Sequence, residues 1–448
     1  MTALDAVPVT HTARIRAALP VVLALMPFLY LVWLAADLSI DVPFWDQWEL
    51  VPRLQNLHAG TFTIDDLWRQ HNEHRPVFPI LWMLALARLS DWNVHLEVAT
   101  NVALGAGIFL IYVRYLFTAW RSRGDTPLWL LPLLSLLIFS PFQWENWLWG
   151  WQISALMGAF AMIAGLYLLA GSDRSAVRFA AALACGVWST YSFAAGLVYW
   201  VVGPIAIALG ARDRRRVRAA AWAVVGGLTL ASYFYQYHQP SGPSMLSNFS
   251  SVAAVVQLVA YFLKYVGAPV GAYKSVVAAL SGIAITMVFS ALALHLRARW
   301  REPAILFPLL VGLLVMGVAA ISATGRAWLG TNQALASRYG TIGLHLWCAA
   351  AVLAVEGLRG HAVAARRSAW QPVTLAVATA VLASAIYNGV AAGRLAAARS
   401  DSLRVARRGL ITGRSDAMLL RLYPDLPTIR QRRVILQMLG TSVFRQRR

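Results

Sequence analysis

Long apolar runs separated by short polar segments follow one another along most of this chain. A helix needs about 20 apolar residues to cross a bilayer, and runs near that length recur up to residue 390. They lie at about 19–38, 96–117, 127–141, 152–171, 178–190, 194–210, 219–236, 273–294, 304–322, 341–358 and 371–390. The first run is too long for a signal-peptide core and is interpreted as a retained anchor. The pattern predicts an all-α polytopic membrane protein with about eleven transmembrane helices.

Two further apolar segments, 76–89 and 252–266, are shorter, and we interpret them as helices that lie at the membrane surface. If they do not cross, the arginine clusters between the other runs all fall on the side of the N-terminus, which Arg14 and Arg16 place in the cytoplasm. This interpretation satisfies the positive-inside rule for every such cluster. The clusters are Arg121 and Arg123, Asp173 to Arg178, Arg212 to Arg218, Arg297 to Arg301, and Arg359 to Arg367.

The composition agrees with this architecture. Of the 448 residues, 59% are hydrophobic and 13% are charged, whereas soluble domains carry about 25% charged residues. The net charge of +20 comes almost entirely from arginine, since only Lys264 and Lys274 are lysine. Because most of these arginines fall between apolar runs, we expect no nucleic-acid partner. Cys185 and Cys348 lie in apolar runs, which argues against disulfides and thiol metal sites.

The chain divides into a transmembrane domain, residues 1–390, and an arginine-rich tail, residues 391–448, that we predict to be helical. On the outer side the transmembrane domain carries a first loop with its re-entrant extension (39–95), a juxtamembrane segment (237–272) and a last loop (323–340). The last predicted span, 371–390, crosses from the cytoplasm to the outer side, so the tail is predicted to lie outside. Its arginines fit that side poorly, although long tails translocate largely regardless of charge.

The first outer loop is dense in titratable groups beside a membrane, where such groups usually serve a function. It contains Phe-Trp-Asp-Gln-Trp-Glu at 44–49 and Gln-His-Asn-Glu-His-Arg-Pro at 70–76. Asp46 is the candidate catalytic base, since a hydroxyl nucleophile needs a carboxylate close to it. The structural alternative is that Asp46 caps a helix beginning near residue 47. The second motif supplies three candidates for lining or shaping a substrate site: Glu73, His74 and Arg75.

Two other outer regions carry polar groups that a lipid-facing loop does not need. Residues 141–152 place Trp144 and Glu145 where they can hold a sugar, with an interfacial aromatic belt as the alternative. In the last loop, arginine can stabilise the charge of a leaving phosphate through paired hydrogen bonds, or it can contact lipid headgroups. The candidates for phosphate or substrate binding are Arg326 and Arg338, with Tyr339 beside them, and Lys264 from the juxtamembrane segment.

No motif in the sequence indicates nucleotide-driven or hydrolase chemistry. The sequence has neither a Gly-rich phosphate loop nor a Gly-x-Ser-x-Gly elbow. His71 and His74 are spaced to approach a metal with Glu73, but no further well-spaced ligand accompanies them. We therefore predict no protein-built metal site, and a divalent cation (Mg²⁺ or Mn²⁺) is the only cofactor left open.

These features together resemble the GT-C superfamily of membrane glycosyltransferases. The resemblance rests on an acidic residue, Asp46, shortly after the first span, and on an amphipathic stretch ending in the step His74-Arg75-Pro76. It covers about residues 15–390 and is architectural, because Gln47 follows Asp46 and His-Arg-Pro stands where many relatives have His-Pro-Pro. It implies that the first-loop aspartate is the catalytic base, that a polyprenyl-phosphate sugar is the donor, and that the two surface segments are juxtamembrane helices.

We therefore expect an inverting glycosyltransferase in a bacterial inner membrane, with its site facing the periplasm or cell exterior. It would transfer a hexose or pentose from polyprenyl phosphate to a hydroxyl of a lipid or cell-envelope glycan, with Asp46 as general base and membrane lipids as further partners. One alternative is a flippase or transporter for a lipid-linked sugar, which often shows paired repeats that are not evident here. Another is an oligosaccharide ligase or polymerase, which would depend on an arginine and a histidine in one large outer loop.

Overall fold

The computed structural model describes residues 11–120, 126–171, 175–210, 214–240, 249–271, 273–359 and 364–445. The structure is 84% helical, and the described residues form no strand. Eight of its helices are long and apolar enough to cross a membrane. The protein is therefore an all-α, multi-pass membrane protein, as predicted. Several charged residues on which the topology prediction depends lie outside the described residues: Arg121, Arg123, Asp173, Arg174 and Arg212. The same holds for the side chains of Arg14, Arg16 and Arg359 to Arg367.

The helices are numbered in chain order. The first nine are α1 (His11–Leu38), α2 (Leu50–Ala59), α3 (Ile64–Trp68), α4 (Val77–Ser90), α5 (Val94–Trp120), α6 (Leu130–Ile138), α7 (Trp144–Leu148), α8 (Ile153–Ala170) and α9 (Ala176–Thr190). The others are α10 (Leu197–Leu209), α11 (Arg215–Phe234), α12 (Val252–Gly271), α13 (Ser275–His295), α14 (Pro303–Arg326), α15 (Gly340–Arg359), α16 (Ala364–Thr412), α17 (Asp416–Leu419) and α18 (Leu426–Leu439). Short 3₁₀ turns connect several of them.

The predicted count of eleven crossings is not confirmed. Seven predicted crossings coincide with helices of spanning length, and α12 is the eighth. The runs at 178–190 and 194–210 become α9 and α10, with 15 and 13 residues. The run at 127–141 holds α6, which has 9 residues, because its apolar positions continue into the turns at both helix ends. The run at 371–390 lies inside α16, whose side chains are described only from residue 382.

The helices run between two ends, which we call the loop end and the far end. The arginines of 214–218 and 297–301 lie at the far end, where α11 begins and α13 gives way to α14. At the loop end, connecting segments contact one another directly; the Trp149 indole donates to the Phe44 carbonyl over 3.0 Å. The segments gathered there are 39–76, 139–152, 191–196, 235–240 and 327–339.

Helix α4 begins and ends at the loop end. Beside its first turn, the Phe78 N–H donates to the Tyr191 carbonyl over 3.2 Å. Just beyond its last turn, the Val94 N–H donates to the Asp41 carboxylate over 2.9 Å. Both partners belong to connections at the loop end, so the two ends of this 14-residue helix lie on the same side of the bundle.

Helix α12 is longer than predicted. It continues through Gly267-Ala268-Pro269 to Gly271 and, with 20 residues, is long and apolar enough to cross a membrane. It packs antiparallel against α13 so closely that a Cβ on Gly282 would lie 1.8 Å from the Leu263 carbonyl oxygen. The prediction of a 15-residue segment from 252 to 266 is therefore wrong, because the Gly-Ala-Pro step does not end the helix.

Two hydrophobic cores stabilise the molecule. The larger lies inside the bundle, where α8 and α14 are mostly buried. The second lies at the loop end, where Trp48 and Leu54 of the first loop and Met83 of α4 pack with Leu410 and Leu422 of the C-terminal segment. The predicted boundary at residue 390 falls inside α16, which runs unbroken to Thr412. The tail is thus part of the loop-end core.

Candidate functional site

A short 3₁₀ turn, Trp45–Glu49, carries Asp46. Phe44 precedes the turn as its N-cap and Asp46 lies in the first turn, so the alternative that Asp46 caps a helix near residue 47 is wrong. Trp48 is fully buried beneath the turn. The Trp45 N–H donates to the carbonyl of Leu422 over 2.8 Å. The C-terminal segment therefore helps to hold the turn that presents Asp46.

Asp46 faces His71, with Oδ2 3.6 Å from Nε2. The His71 ring packs edge-on against Trp151, with centroids 4.8 Å apart. Reciprocal backbone hydrogen bonds of 2.8 and 2.9 Å between His71 and His74 close a tight turn that keeps both imidazoles at the loop end. A carboxylate beside an imidazole is an arrangement that can accept a proton from a nearby hydroxyl.

Glu73 pairs with Arg326, a residue 253 positions away in the chain. His74 Nε2 lies 3.4 Å from the same carboxylate oxygen. Burial opposes ionisation of Glu73, but the His74 ring, which is protonated in the acid range where Glu73 titrates, and the Arg326 guanidinium lower the pKa of Glu73 to about 2. Glu73 is therefore an anion at neutral pH, and it ties the first loop to the end of α14.

His74 is held in one orientation. Its ring stacks on Phe193 with centroids 4.4 Å apart, and its Nδ1 accepts from the Ala194 N–H over 3.0 Å. Burial lowers the pKa of His74 to about 4, so the ring is neutral at pH 7. Because Nδ1 is an acceptor, the neutral ring carries its proton on Nε2, which faces Glu73.

The predicted residues of the other loops adjoin this cluster. The guanidinium groups of Arg326 and Arg338 lie 6.0 and 5.5 Å from the ring centroid of Tyr339. Arg338 Nη1 lies 3.4 Å from Glu145 Oε1, and Oε2 accepts from the Ser337 hydroxyl over 2.6 Å. Glu145 thus fastens the last loop to α7. Tyr339 connects this pair with the pair formed by Glu73.

Arg75, which was predicted to line or shape the site, is held by backbone carbonyls behind it. It is buried, and three of its nitrogens donate to the carbonyls of Tyr233 (2.7 Å), Trp68 (2.8 Å) and Tyr235 (2.5 Å). Its guanidinium also lies 5.4 Å from the Trp68 ring centroid. Backbone carbonyls thus use a donor on each of the three nitrogens, and these contacts fix the C-terminal end of α11 against the first loop.

Lys264 is bound to the last loop. Its Nζ donates to Thr331 Oγ1 over 2.7 Å and to Asn332 Oδ1 over 2.9 Å. These hydrogen bonds hold the segment that leads to Tyr339. Lys264 therefore fastens α12 to the last loop, and we assign it to support of the site.

A third arginine, Arg399 of α16, enters the site from the tail. Its guanidinium lies 4.1 Å from the ring centroid of Phe44, 5.4 Å from that of Trp144 and 5.7 Å from that of Trp149. Its Nε and Nη2 are buried and make no hydrogen bond within the described part of the chain. Burial lowers the pKa of Arg399 to about 10, so it remains a cation at neutral pH.

Sequence reasoning missed the contribution of the tail. Besides Arg399, Arg432 Nη1 lies 2.8 Å from Glu49 Oε1, and the Tyr423 hydroxyl donates to the same carboxylate over 3.2 Å. Burial opposes the charge on Glu49, but the Arg432 guanidinium lowers the pKa of that carboxyl. The poor fit of the tail arginines to an outer location was the only signal of this role.

The residues described do not fit a resident metal ion. Among them, no group of three or more His, Cys, Asp or Glu side chains is arranged to hold one. The imidazoles of His71 and His74 face different carboxylates, those of Asp46 and Glu73. We derive no step through a divalent cation.

The structure thus brings Asp46, Glu73, His74, Glu145, Trp144, Arg326, Arg338 and Tyr339 to the loop end, and places Arg75 and Lys264 behind them as supports. Aromatic rings, carboxylates and arginines from four parts of the chain meet there. This arrangement suits a polar substrate that carries an anionic group. Protein-family models, curated proteins and solved structures provide no match to this chain, so its function has to be argued from this site.

Proposed function

We propose that this protein is an inverting glycosyltransferase of the GT-C type, using a polyprenyl-phosphate sugar as donor and a hydroxyl of a lipid or cell-envelope glycan as acceptor. The observation that carries the proposal is the pairing of Asp46 with His71 in a loop that arginines of two other segments approach. A base and cationic groups for a leaving phosphate are the two elements that such a transfer requires.

In the proposed reaction, Asp46 removes the proton of the acceptor hydroxyl as its oxygen attacks the anomeric carbon. The bond from that carbon to the phosphate oxygen breaks, and polyprenyl phosphate leaves with the bonding electrons. His71, 3.6 Å from Asp46, orients the carboxylate. One displacement inverts the anomeric centre. A single base suffices, so neither a covalent intermediate nor a second acid is invoked.

Arg399 is the strongest candidate in the site for the leaving phosphate, since its Nε and Nη2 lack partners within the described residues. Arg326 and Arg338 already face Glu73 and Glu145. These two arginines stabilise the phosphate by adding positive charge around it. To contact the phosphate directly, each arginine would have to bind it and its carboxylate partner at the same time. Trp144, which is partly exposed, offers a ring face for a sugar or for the first prenyl unit.

The orientation is part of the proposal. The far end carries arginine clusters at 214–218 and 297–301, and cytoplasmic loops are enriched in arginine. We therefore place the far end in the cytoplasm of a bacterial inner membrane and the loop end on the periplasmic or exterior side. In this orientation α4, which starts and ends at the loop end, lies along the outer surface and can border the donor's prenyl chain.

The test is the Asp46→Asn variant, reconstituted with polyprenyl-phosphate hexoses and pentoses and a cell-envelope glycan extract. Turnover is measured as release of polyprenyl phosphate. We expect it to fall by about a hundredfold or more, the usual contribution of a general base, while binding of added undecaprenyl phosphate stays unchanged. Asp65→Asn, an exposed carboxylate of the same loop, is the matched control and should behave as wild type. Unchanged turnover in Asp46→Asn excludes Asp46 as the base.

A further inference from the structure

A cavity of about 410 Å³ lies where α1 ends and α5 begins, and Asp46 is not among the residues that line it. One wall consists of residues that directly follow α1 together with His95 from the first turn of α5. The opposite wall comes from the C-terminal segment and is strongly basic. It consists of Arg404, Arg407, Arg408 and Arg445.

The fold of α16 explains why the arginines share a wall. Arg407 and Arg408 follow Arg404 by three and four residues, so the three side chains lie on one side of the helix. Leu403, Ala406 and Leu410 are buried in the loop-end core. The helix therefore packs its apolar face inward and directs its basic face toward the end of α1. One contact of this kind is the donation from Arg404 Nη2 to the Asp37 carbonyl over 3.3 Å.

The positive charge of this cavity is only partly neutralised. Arg445 Nη2 lies 2.5 Å from Asp41, and Arg404 Nη1 lies 2.9 Å from Asp401. Arg407 and Arg408 form no ion pair with any side chain in the described ranges. The Nη1 of Arg445 is buried without a hydrogen-bond partner among those residues. Such a donor is costly to bury unless an acceptor reaches it.

We propose that this cavity binds the phosphate group of a membrane lipid. Several arginines around one cavity match the oxygens of a phosphate through charge-assisted hydrogen bonds. The volume lies in the range that holds a small ligand. The site also lies at the ends of two helices of spanning length, Ala18–Leu38 and Val94–Trp120, which is the depth of lipid headgroups.

The proposal accounts for an arginine-rich segment at the loop end. A bound anionic headgroup neutralises the basic face of α16 and fastens this helix to the membrane boundary. The same helix supplies Arg399 to the site around Asp46. The proposal does not depend on the proposed transferase activity. A lipid phosphate can bind here whether or not Asp46 is a base.

The test is calorimetric titration of the full chain in a non-ionic detergent with short-chain phosphatidic acid and, separately, with inorganic phosphate. We expect the lipid to bind. Replacing both Arg407 and Arg408 by Gln should weaken it about a hundredfold, or about tenfold for each charged hydrogen-bonding partner. The matched control replaces Arg414 and Arg421, exposed arginines of the same segment outside the cavity, by Gln and should bind as wild type.

The single variant Arg408→Glu provides a second measurement in case the double variant does not fold, because this side chain is exposed. It should reverse one charge and weaken the lipid by tenfold or more. Equal affinity for inorganic phosphate would show that the headgroup assignment is wrong and that a free anion is the ligand. Absence of lipid binding, or equal weakening in the matched control, would overturn the site itself. Turnover in the transferase assay is not needed for any of these outcomes.

Discussion

Arginine–carboxylate pairs occur at both ends of the bundle, but their surroundings differ. At the far end, Arg299 lies 2.8 Å from Glu302 and 2.9 Å from Glu356. Glu356 is fully buried and also accepts the indole N–H of Trp120. Arg299 and its two carboxylates therefore join the ends of α5 and α15 with the start of α14. No ligand can reach the Glu356 carboxylate without opening the bundle.

At the loop end, the corresponding pair is partly open. The side chains of Arg326 and Glu73 are 26% and 31% exposed, and they join a loop to a helix end. His74 and Tyr339 add a neutral imidazole and an aromatic face beside them. The same ion-pair chemistry thus stabilises the bundle at one end and remains accessible to a ligand at the other. The burial of the carboxylate distinguishes the two roles, since Glu356 is fully buried whereas Glu73 is 31% exposed.

The largest effect that separates the two ends is expected on stability, from Glu356→Gln. This change removes a buried charge partner of Arg299 and should lower the free energy of unfolding by about 2 kcal/mol. Turnover per folded molecule should not change. Glu302→Gln is the matched control, because it has the same arginine partner but is 37% exposed, and it should cost less than about 1 kcal/mol. Equal losses in chemical unfolding experiments would contradict the proposed difference between buried and exposed partners.

A smaller effect is expected at the loop end from Arg399→Gln, and it should fall on ligand binding. Loss of this cation should weaken undecaprenyl phosphate about tenfold, the value of one charged hydrogen-bonding group. Arg394→Gln removes an exposed arginine of the same helix and should leave binding unchanged. Fluorescence titration with the lipid measures both variants. Unaltered binding in Arg399→Gln would remove this arginine from the phosphate site.

The smallest effect at neutral pH comes from His74, because its contribution develops only as the solution becomes acid. The pKa of His74 is about 4 in the folded protein and about 6.5 in an unfolded chain. The unfolded state therefore binds a proton that the folded state rejects, and this residue reduces stability as the pH falls from about 6.5 to about 4. In His74→Gln the unfolding temperature should fall less over this interval than in wild type. His58→Gln, an exposed histidine of the same loop, should keep the wild-type slope. Identical slopes in all three proteins would contradict the burial argument.

Run lengths and charge clusters were sufficient to predict an all-α membrane protein and the polar loops between its helices. Both are local properties of the chain, since about 20 apolar residues in sequence already define a span. The same local rule failed where apolar residues continued past a helix end, as around α6, and where Pro269 lay inside a helix. Hydropathy counts residues but does not show where a helix stops.

The sequence by itself determined the class of protein and the concentration of carboxylates, histidines and arginines in its loops. Only the tertiary structure decided their partners. The pairing of Glu73 with Arg326 spans 253 residues, and the contacts of Arg399 with Phe44 and of Arg432 with Glu49 join the two ends of the chain. Arg75 showed the same limit, because its donors are used by carbonyls that lie about 160 positions away. Such pairings depend on how helices pack, and packing is a property of the whole chain.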